Sequence, residues 1–220
     1  MAEIDFVSTV HRKTTRDYLG RVNDYPKAEA AKVAKRFDRD YWDGDRRVGY
    51  GGMRYDGRWR PVAEAMARHY GLGPGSRVLD VGCGKAFLLY DFTAIVPGIE
   101  VHGLDISAYA VAEAKEEVRP RLTVGSACAL PYPDHSFDLV VSLNTLHNLP
   151  CFELDGALRE IERVGRKHKY VVVESFRNEE EKANLLYWQL TCESFHRPDA
   201  WEWWFKRTGY SGDHSFIFFE

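Results

Sequence analysis

Between residues 77 and 174, short apolar runs alternate with stretches of helical spacing, and this alternation constrains the fold more than any other feature of the chain. The runs are Arg77–Val81, Glu100–Asp105, Leu122–Gly125, Phe137–Ser142 and Tyr170–Glu174; Val171–Val173 are all β-branched, as strands buried on both faces require. Between them, the spacing predicts a helix from about Lys85 to Val96. A second is capped by Ser107 and carries Ala110, Val111, Ala114 and Val118, and a third aligns Leu154, Ala157, Leu158, Ile161 and Val164 before Gly165. Strands separated by helices imply a parallel sheet covered on both sides. Beyond Glu174 the pattern predicts a long helix from Glu179 to about Phe195 and another from Asp199 to Thr208. Two strand candidates follow, 209–213 and 215–219, too close together for a helical crossover. They are expected as an antiparallel hairpin on one edge, making seven strands.

The first 25 residues are polar and hold no sustained period. Pro26 opens a helix with Ala30, Val33, Ala34 and Phe37 on one face, and Pro61 opens another with Val62, Ala65, Met66 and Tyr70. Glycines and aromatic rings crowd 41–59, which reads as a loop. Residues 1–59 are therefore expected as a helical lid and 60–220 as the main domain. The 220 residues carry 30 basic and 33 acidic side chains, a balance that disfavours a nucleic-acid-gripping surface. No run of 18 apolar residues and no secretory segment stand out, so a cytoplasmic protein that avoids membranes is expected. Cys83, Cys128, Cys151 and Cys192 form no CxxC pair.

The segment Val78-Leu79-Asp80-Val81-Gly82-Cys83-Gly84-Lys85-Ala86-Phe87 says most about a ligand. A P-loop needs a glycine where Leu79 stands and a hydroxyl where Ala86 stands; that reading fails, and Lys85 is read as a solvated first-turn residue. A dinucleotide turn needs a third glycine at Phe87, and Asp80 would set a carboxylate beside a pyrophosphate. An acid there suits a ligand with positive charge and no phosphate, such as S-adenosylmethionine. Asp105, ending the second run, stands where a carboxylate accepts ribose hydroxyls. Each acid alone could equally be a helix cap.

The chain resembles the class I S-adenosylmethionine-dependent methyltransferases, in particular the small-molecule type. The likeness rests on VLDVGCGKAF, GLDIS and GSACALPYPDHSFDLVVSLNTLHNL, spanning about residues 60–176. It implies a Rossmann-like α/β fold, with Gly82, Cys83 and Gly84 along the methionine part of the cofactor and Asp105 on the ribose. It places Ile106 against the adenine and Ser126-Ala127 at the adenine edge. Two departures stand out: Ala86 replaces a usual glycine, and Ser126 replaces a usual acid.

Ligands in open parallel sheets sit at the carboxyl ends of the strands, which points to Asn144, His147 and Glu174 near the transferred methyl. Asn144 is expected on the cofactor. His147 is the candidate base, the alternative being a histidine that ties loop backbone together. Glu174 is expected to meet either a cationic acceptor or an arginine. His147 and Cys151 have Pro150 between them and no further ligands nearby, so no metal centre is read. Tyr50, Tyr55 and Arg58 from the loop, with Tyr187 from the helix that begins at Glu179, are the candidate acceptor contacts, and Arg58 hints at a polar or anionic small molecule.

The function expected is methyl transfer from S-adenosylmethionine to an oxygen or nitrogen of a small metabolite. Alternatives are an enzyme using this cofactor without methylating, and a cofactor-binding accessory subunit. Nucleic-acid methylation is disfavoured because Asn144-Thr145-Leu146-His147 replaces an Asn/Asp-Pro-Pro-aromatic tetrapeptide. The sequence leaves the oligomeric state open, with a homodimer one option.

Overall fold

A computed structural model describes residues 1–11 and 16–220. The apolar runs form β1 (Arg77–Val81), β2 (Glu100–Asp105), β3 (Leu122–Val124), β4 (Phe137–Leu143), β5 (Gly165–Glu174) and β6 (Asp213–Ile217). These pair in the order β3-β2-β1-β4-β5-β6, every neighbouring pair parallel. Side chains alternate across each strand, and the core divides accordingly. Val78, Leu139, Val141, Tyr170 and Val172 face one side; Leu79, Val81, Val140, Val171 and Val173 face the other.

Helices cover both faces. On the first side lie α5 (Arg60–Tyr70), burying Val62, Ala63, Met66, Ala67 and Tyr70, and α6 (Phe87–Ile95), burying Leu88, Leu89 and Phe92. Gly71, in the left-handed conformation, stops α5. On the second side lie α8 (Cys151–Val164), whose buried residues are those the spacing picks out, and α10 (Pro198–Thr208), which contributes Trp201 and Phe205. Each fully buried aliphatic or Phe side chain contributes about 1.5–3 kcal/mol. The helix after Ser107 is shorter than expected: α7 spans only Ala108–Ala112, and Arg119 folds back to donate to the Ala114 carbonyl. Among the described residues no helix is long and apolar enough to cross a membrane.

The carboxyl-terminal hairpin is not there. After β5 the chain crosses over through α9 (Glu179–Trp188) and α10, so β6 returns parallel to β5, with Tyr170 opposite Asp213 and Glu174 opposite Ile217. Residues 209–212 are a turn: Gly209 caps α10 at φ +74, and buried Tyr210 packs on Phe205 while its hydroxyl donates to the Asp213 carbonyl at 2.7 Å. The aromatic character that suggested a strand there serves core packing. The exposed side of β6 is met by the chain start, where Ile4 N donates to His214 O at 2.9 Å and His214 N to Ala2 O at 3.0 Å. The aperiodic opening stretch also holds two short helices, α1 (Ser8–His11) and α2 (Tyr18–Asn23). Between them and α5 come α3 (Lys27–Ala34) and α4 (Arg39–Asp43).

Trp201 is fully buried, and its indole N–H donates to the Glu174 carbonyl at 3.1 Å, tying α10 to the end of β5. Trp201→Ala is expected to cost about 3–5 kcal/mol in urea denaturation. Trp203→Ala, at a side chain 54% exposed two residues on, should stay within about 0.5 kcal/mol.

Candidate active site

β1 is the strand at which the sheet order reverses, since β2 and β3 extend to one side of it and β4 to the other. A crevice opens there at the carboxyl ends of the strands. It holds a cavity of about 300 Å³, lined by Asp80, Gly82, Cys83, Gly84, Asp105, Ile106, Ser126, Ala127 and Asn144. All nine residues expected at a cofactor are thus brought together.

The turn after β1 requires its glycines. Gly82 has φ +82, and a Cβ there would collide with the Thr145 side chain; Gly84 has φ +54, and a Cβ would come within 2.8 Å of the Trp42 ring. Asp105 locks the turn: one carboxylate oxygen accepts from Gly84 N at 2.7 Å, the other from Ser107 N at 2.8 Å. It is therefore a capping acid and a cavity-lining acid at once, and each oxygen keeps a lone pair for a further donor. Ser126 Oγ accepts from Cys128 N at 3.2 Å, and Ile106 lies on the rim, 60% exposed. Three buried oxygens without a hydrogen-bond partner belong to this lining: Asp80 Oδ1, Asn144 Oδ1 and Asn148 Oδ1. Unsatisfied buried acceptors call for a donor-bearing ligand, and an ammonium with ribose hydroxyls supplies those donors.

α4 and the loop after it cover this cavity with Trp42, Tyr50 and Met53. Trp42 donates to Ser107 Oγ at 2.9 Å and stacks on Tyr50, the ring planes 10° apart. Lys85, expected in solvent, is buried instead, because Asp43 offers it both carboxylate oxygens at 2.7 and 2.8 Å and the Met53 carbonyl accepts at 3.0 Å. Tyr109 OH donates to the same carboxylate at 2.7 Å.

A second cavity, of about 530 Å³, adjoins the first and shares Tyr41, Tyr50, Met53, Trp59, Phe87 and Asn144 with it. Of the expected acceptor contacts, Tyr50, Arg58 and Glu174 line it, and two do not. Tyr55 turns onto α6, donating to Asp91 Oδ1 at 2.7 Å and packing on Phe87 and Tyr90, so it anchors the lid. Tyr187 is 38% exposed on the outer face of α9; Trp188, one residue on, is the ring that enters. The helix ends there because residues 189–194 swing inward, where the Glu193 and Ser194 amides donate to His147 O at 2.9 Å each.

His147 does not reach either cavity. It is 2% exposed; its Nδ1 accepts from the Glu174 amide at 3.3 Å, so Nε2 carries the proton and faces Glu174 Oε2 at 3.4 Å. Burial holds its pKa down at about 3, a neutral imidazole knitting the end of β5 to the loop after β4. Burial likewise lifts Glu174 to about 8; Gln189 donates to it, His147 faces it, and the charge of the nearby Arg16 opposes the rise. The histidine that does line the outer cavity is His11, from the stretch without a period. Its Nε2 lies 3.4 Å from Asn144 Nδ2, at the junction of the two cavities, and burial with the Arg16 charge lowers its pKa to about 4.

Lys85→Met is expected to cost about 1–3 kcal/mol and to speed protease cleavage within residues 44–58; an unchanged cleavage rate would mean that this pair does not hold the lid. Asp80 gives a pH signature. Burial, then the neighbouring Asp105, raises it to about 8. The ligand-free native state keeps this proton between about pH 4 and pH 8 while the unfolded chain releases it, so stability falls as pH rises through that window. Asp80→Asn should flatten the fall by up to about 1.4 kcal/mol per pH unit, as urea midpoints at pH 5 and pH 8 would register.

Residues 79–173 match the family model described as a methyltransferase domain. A demethylmenaquinone methyltransferase of Bacillus cytotoxicus is 39% identical over 98 residues, covering 41% of this chain and 40% of the relative. One from Roseiflexus is 31% identical over 144 residues, covering 64% and 58%. Sterol 24-C-methyltransferase ERG6B of Gibberella zeae is 37% identical over 109 residues, covering 45% and 27%. The chain thus aligns with between 27% and 58% of these relatives' own lengths. Among solved structures, a geranyl diphosphate methyltransferase superimposes with TM-score 0.57 at 16% identity, covering 68% of this chain and 64% of that one. YcgJ of Bacillus subtilis gives 0.53 at 21%, covering 66% of each. At these identities the structures speak for the fold alone. With the glycine turn, Asp105 and the crevice between β1 and β4 in place, residues 79–173 form a methyltransferase domain similar to those of the class I S-adenosylmethionine-dependent methyltransferases.

Proposed function

We propose that the chain transfers a methyl group from S-adenosylmethionine, held in the inner cavity, to an oxygen or nitrogen of a small molecule held in the outer one. The observation that carries this reading is the pair of adjoining cavities with Asn144 in the wall of both. The cofactor supplies a methyl carbon already activated by a sulfonium, so alignment and exclusion of water account for much of the required catalysis. Asp80 and Asp105 would accept from the ammonium and the ribose hydroxyls. Tyr50 and Trp59, shared by both cavities, would wall the transfer path from solvent. An oxygen or nitrogen acceptor sheds a proton around the transfer, and His11 Nε2, neutral at pH 7, is the acceptor for it at the junction. The size of the cavities and the near-neutral charge balance favour a metabolite over a nucleic acid.

Calorimetric titration tests the cofactor half. Micromolar binding of S-adenosylmethionine and S-adenosylhomocysteine is expected, with none of ATP or NAD, and Asp80→Asn should weaken the two sulfur compounds about tenfold while leaving methylthioadenosine unchanged, since only the former carry the ammonium. No binding of either would overturn the reading. On an identified acceptor, His11→Ala should lower kcat by about 10²–10⁴-fold with S-adenosylhomocysteine affinity intact, whereas His147→Ala should lower stability. Release of methylthioadenosine in place of S-adenosylhomocysteine would replace methylation by another group transfer.

A further inference from the structure

The outer cavity is lined by five arginines, Arg16, Arg21, Arg46, Arg54 and Arg58, against two carboxyl groups, Asp56 and Glu174. Asp56 is spent on Arg58, which holds both its oxygens at 2.6–3.0 Å. Glu174 is buried against Gln189 and His147, where desolvation disfavours ionisation although the Arg16 charge opposes it. Arg16, Arg21 and Arg46 form no ion pair with a carboxylate among the described residues. Their guanidiniums nevertheless converge on one ring, standing 5.7, 4.7 and 5.5 Å from the centre of Trp188.

Their hydrogen bonds go to neutral oxygens. Arg21 Nε donates to Trp188 O at 2.8 Å and its Nη1 to Arg46 O at 3.4 Å, Arg46 donates to Gly49 O at 2.8 Å, and Arg16 meets the Tyr18 hydroxyl. Arg16 Nε is buried with no hydrogen-bond partner. One indole face stabilises a cation by about 0.5–2 kcal/mol, and three like charges around it repel one another; Arg21 has its pKa lowered by burial and by Arg46. A wall of unpaired guanidiniums inside a cavity is the arrangement that captures a carboxylate or phosphate through charge-assisted, forked hydrogen bonds. Val10, Trp59, Ile217 and Phe219 add apolar surface to the wall.

Building on the methyl-transfer reading of the same site, we propose that the acceptor is an organic anion whose carboxylate or phosphate is held by Arg16, Arg21 and Arg46 around Trp188, with its apolar body reaching the junction at Asn144 and His11. Such an anion also removes the nearest cause, after burial, of the depressed His11 basicity, because it neutralises Arg16 beside it. Acceptor docking and proton acceptance are thereby coupled.

The test is calorimetry on the full chain saturated with S-adenosylhomocysteine, using benzoate, phenyl phosphate, benzamide and benzylamine as probes. At least one of the two anions is expected to bind, more weakly as salt rises, and the comparison between them tells carboxylate from phosphate. Benzamide and benzylamine should bind about tenfold or more weaker. Arg21→Gln with Arg46→Gln should lower anion affinity about tenfold or more with S-adenosylhomocysteine affinity unchanged, since neither residue lines the inner cavity. Arg46→Gln alone, at an exposed side chain that leaves folding undisturbed, should lower it about threefold or more. Anion binding indifferent to these changes, benzamide binding as tightly as benzoate, or no probe binding at all would overturn the proposal. Loss of S-adenosylhomocysteine binding alone, with anions still captured by the free chain, would instead overturn the cofactor reading.

Discussion

The grip of Asp105 on two backbone amides is the constraint from which the rest of the site follows. By holding Gly84 N and Ser107 N with separate oxygens, it joins the turn after β1 to the start of α7 across the end of β2. Ser107 then passes the constraint outward: its Oγ accepts from the Trp42 indole and from Ala110 N, and donates to the Phe37 carbonyl. Trp42 closes the circuit by packing its ring on the open face of Gly84. Turn, helix start and lid are therefore one hydrogen-bonded unit. A side chain at residue 84 would break it from within, which is a stronger reason for glycine there than loop flexibility.

The two cavities differ in the sign of the charge they can satisfy. The inner one presents Asp80 and Asp105, acids that burial keeps from ionising freely until a cation arrives. The outer one presents arginines with too few carboxylates to pair them. A cationic cofactor and an anionic acceptor would each relieve the strain of its own cavity, and each would be repelled from the other's. On this proposal, charge would sort the two ligands to opposite sides of Asn144, independently of shape.

Much of this was legible in the sequence, and the failures have physical causes. Strands buried on both faces leave a β-branched signature that helices do not share, so β1, β4 and β5 stood out, and the paired glycines with Asp80 and Asp105 marked the inner cavity. The edge was misread because Tyr210 is aromatic for the sake of the core, a tertiary demand that local pattern does not separate from strand propensity. Tyr187 and Trp188 are adjacent rings at the end of α9, and the pattern of that helix does not say which of the two turns toward the cavity. His11, Arg16 and Arg21 were passed over because they belong to short helices and connections with no period. No charge excess marks that stretch either, since the first 25 residues hold four Lys or Arg and four Asp or Glu.

Backbone strain completes the account of the inner cavity. Four described residues other than glycine have positive φ: Phe37, Ala86, His135 and Asn144. Phe37 and Asn144 line the cavity, and Ala86 ends its glycine turn as the cap of α6. The left-handed conformation costs an L-residue about 1–2 kcal/mol, less for asparagine. That cost is offset locally. The Phe37 carbonyl takes two donors, Trp42 Nε1 and Ser107 Oγ; the Ala86 methyl is fully buried while its amide donates to Cys83 O at 2.8 Å; and Asn144 N donates to Val172 O at 3.1 Å. Strain of this kind persists only where surrounding contacts over-determine the backbone. Here it places Asn144 in the wall shared by the two cavities, while the buried Ala86 methyl fills core space that a glycine would leave empty.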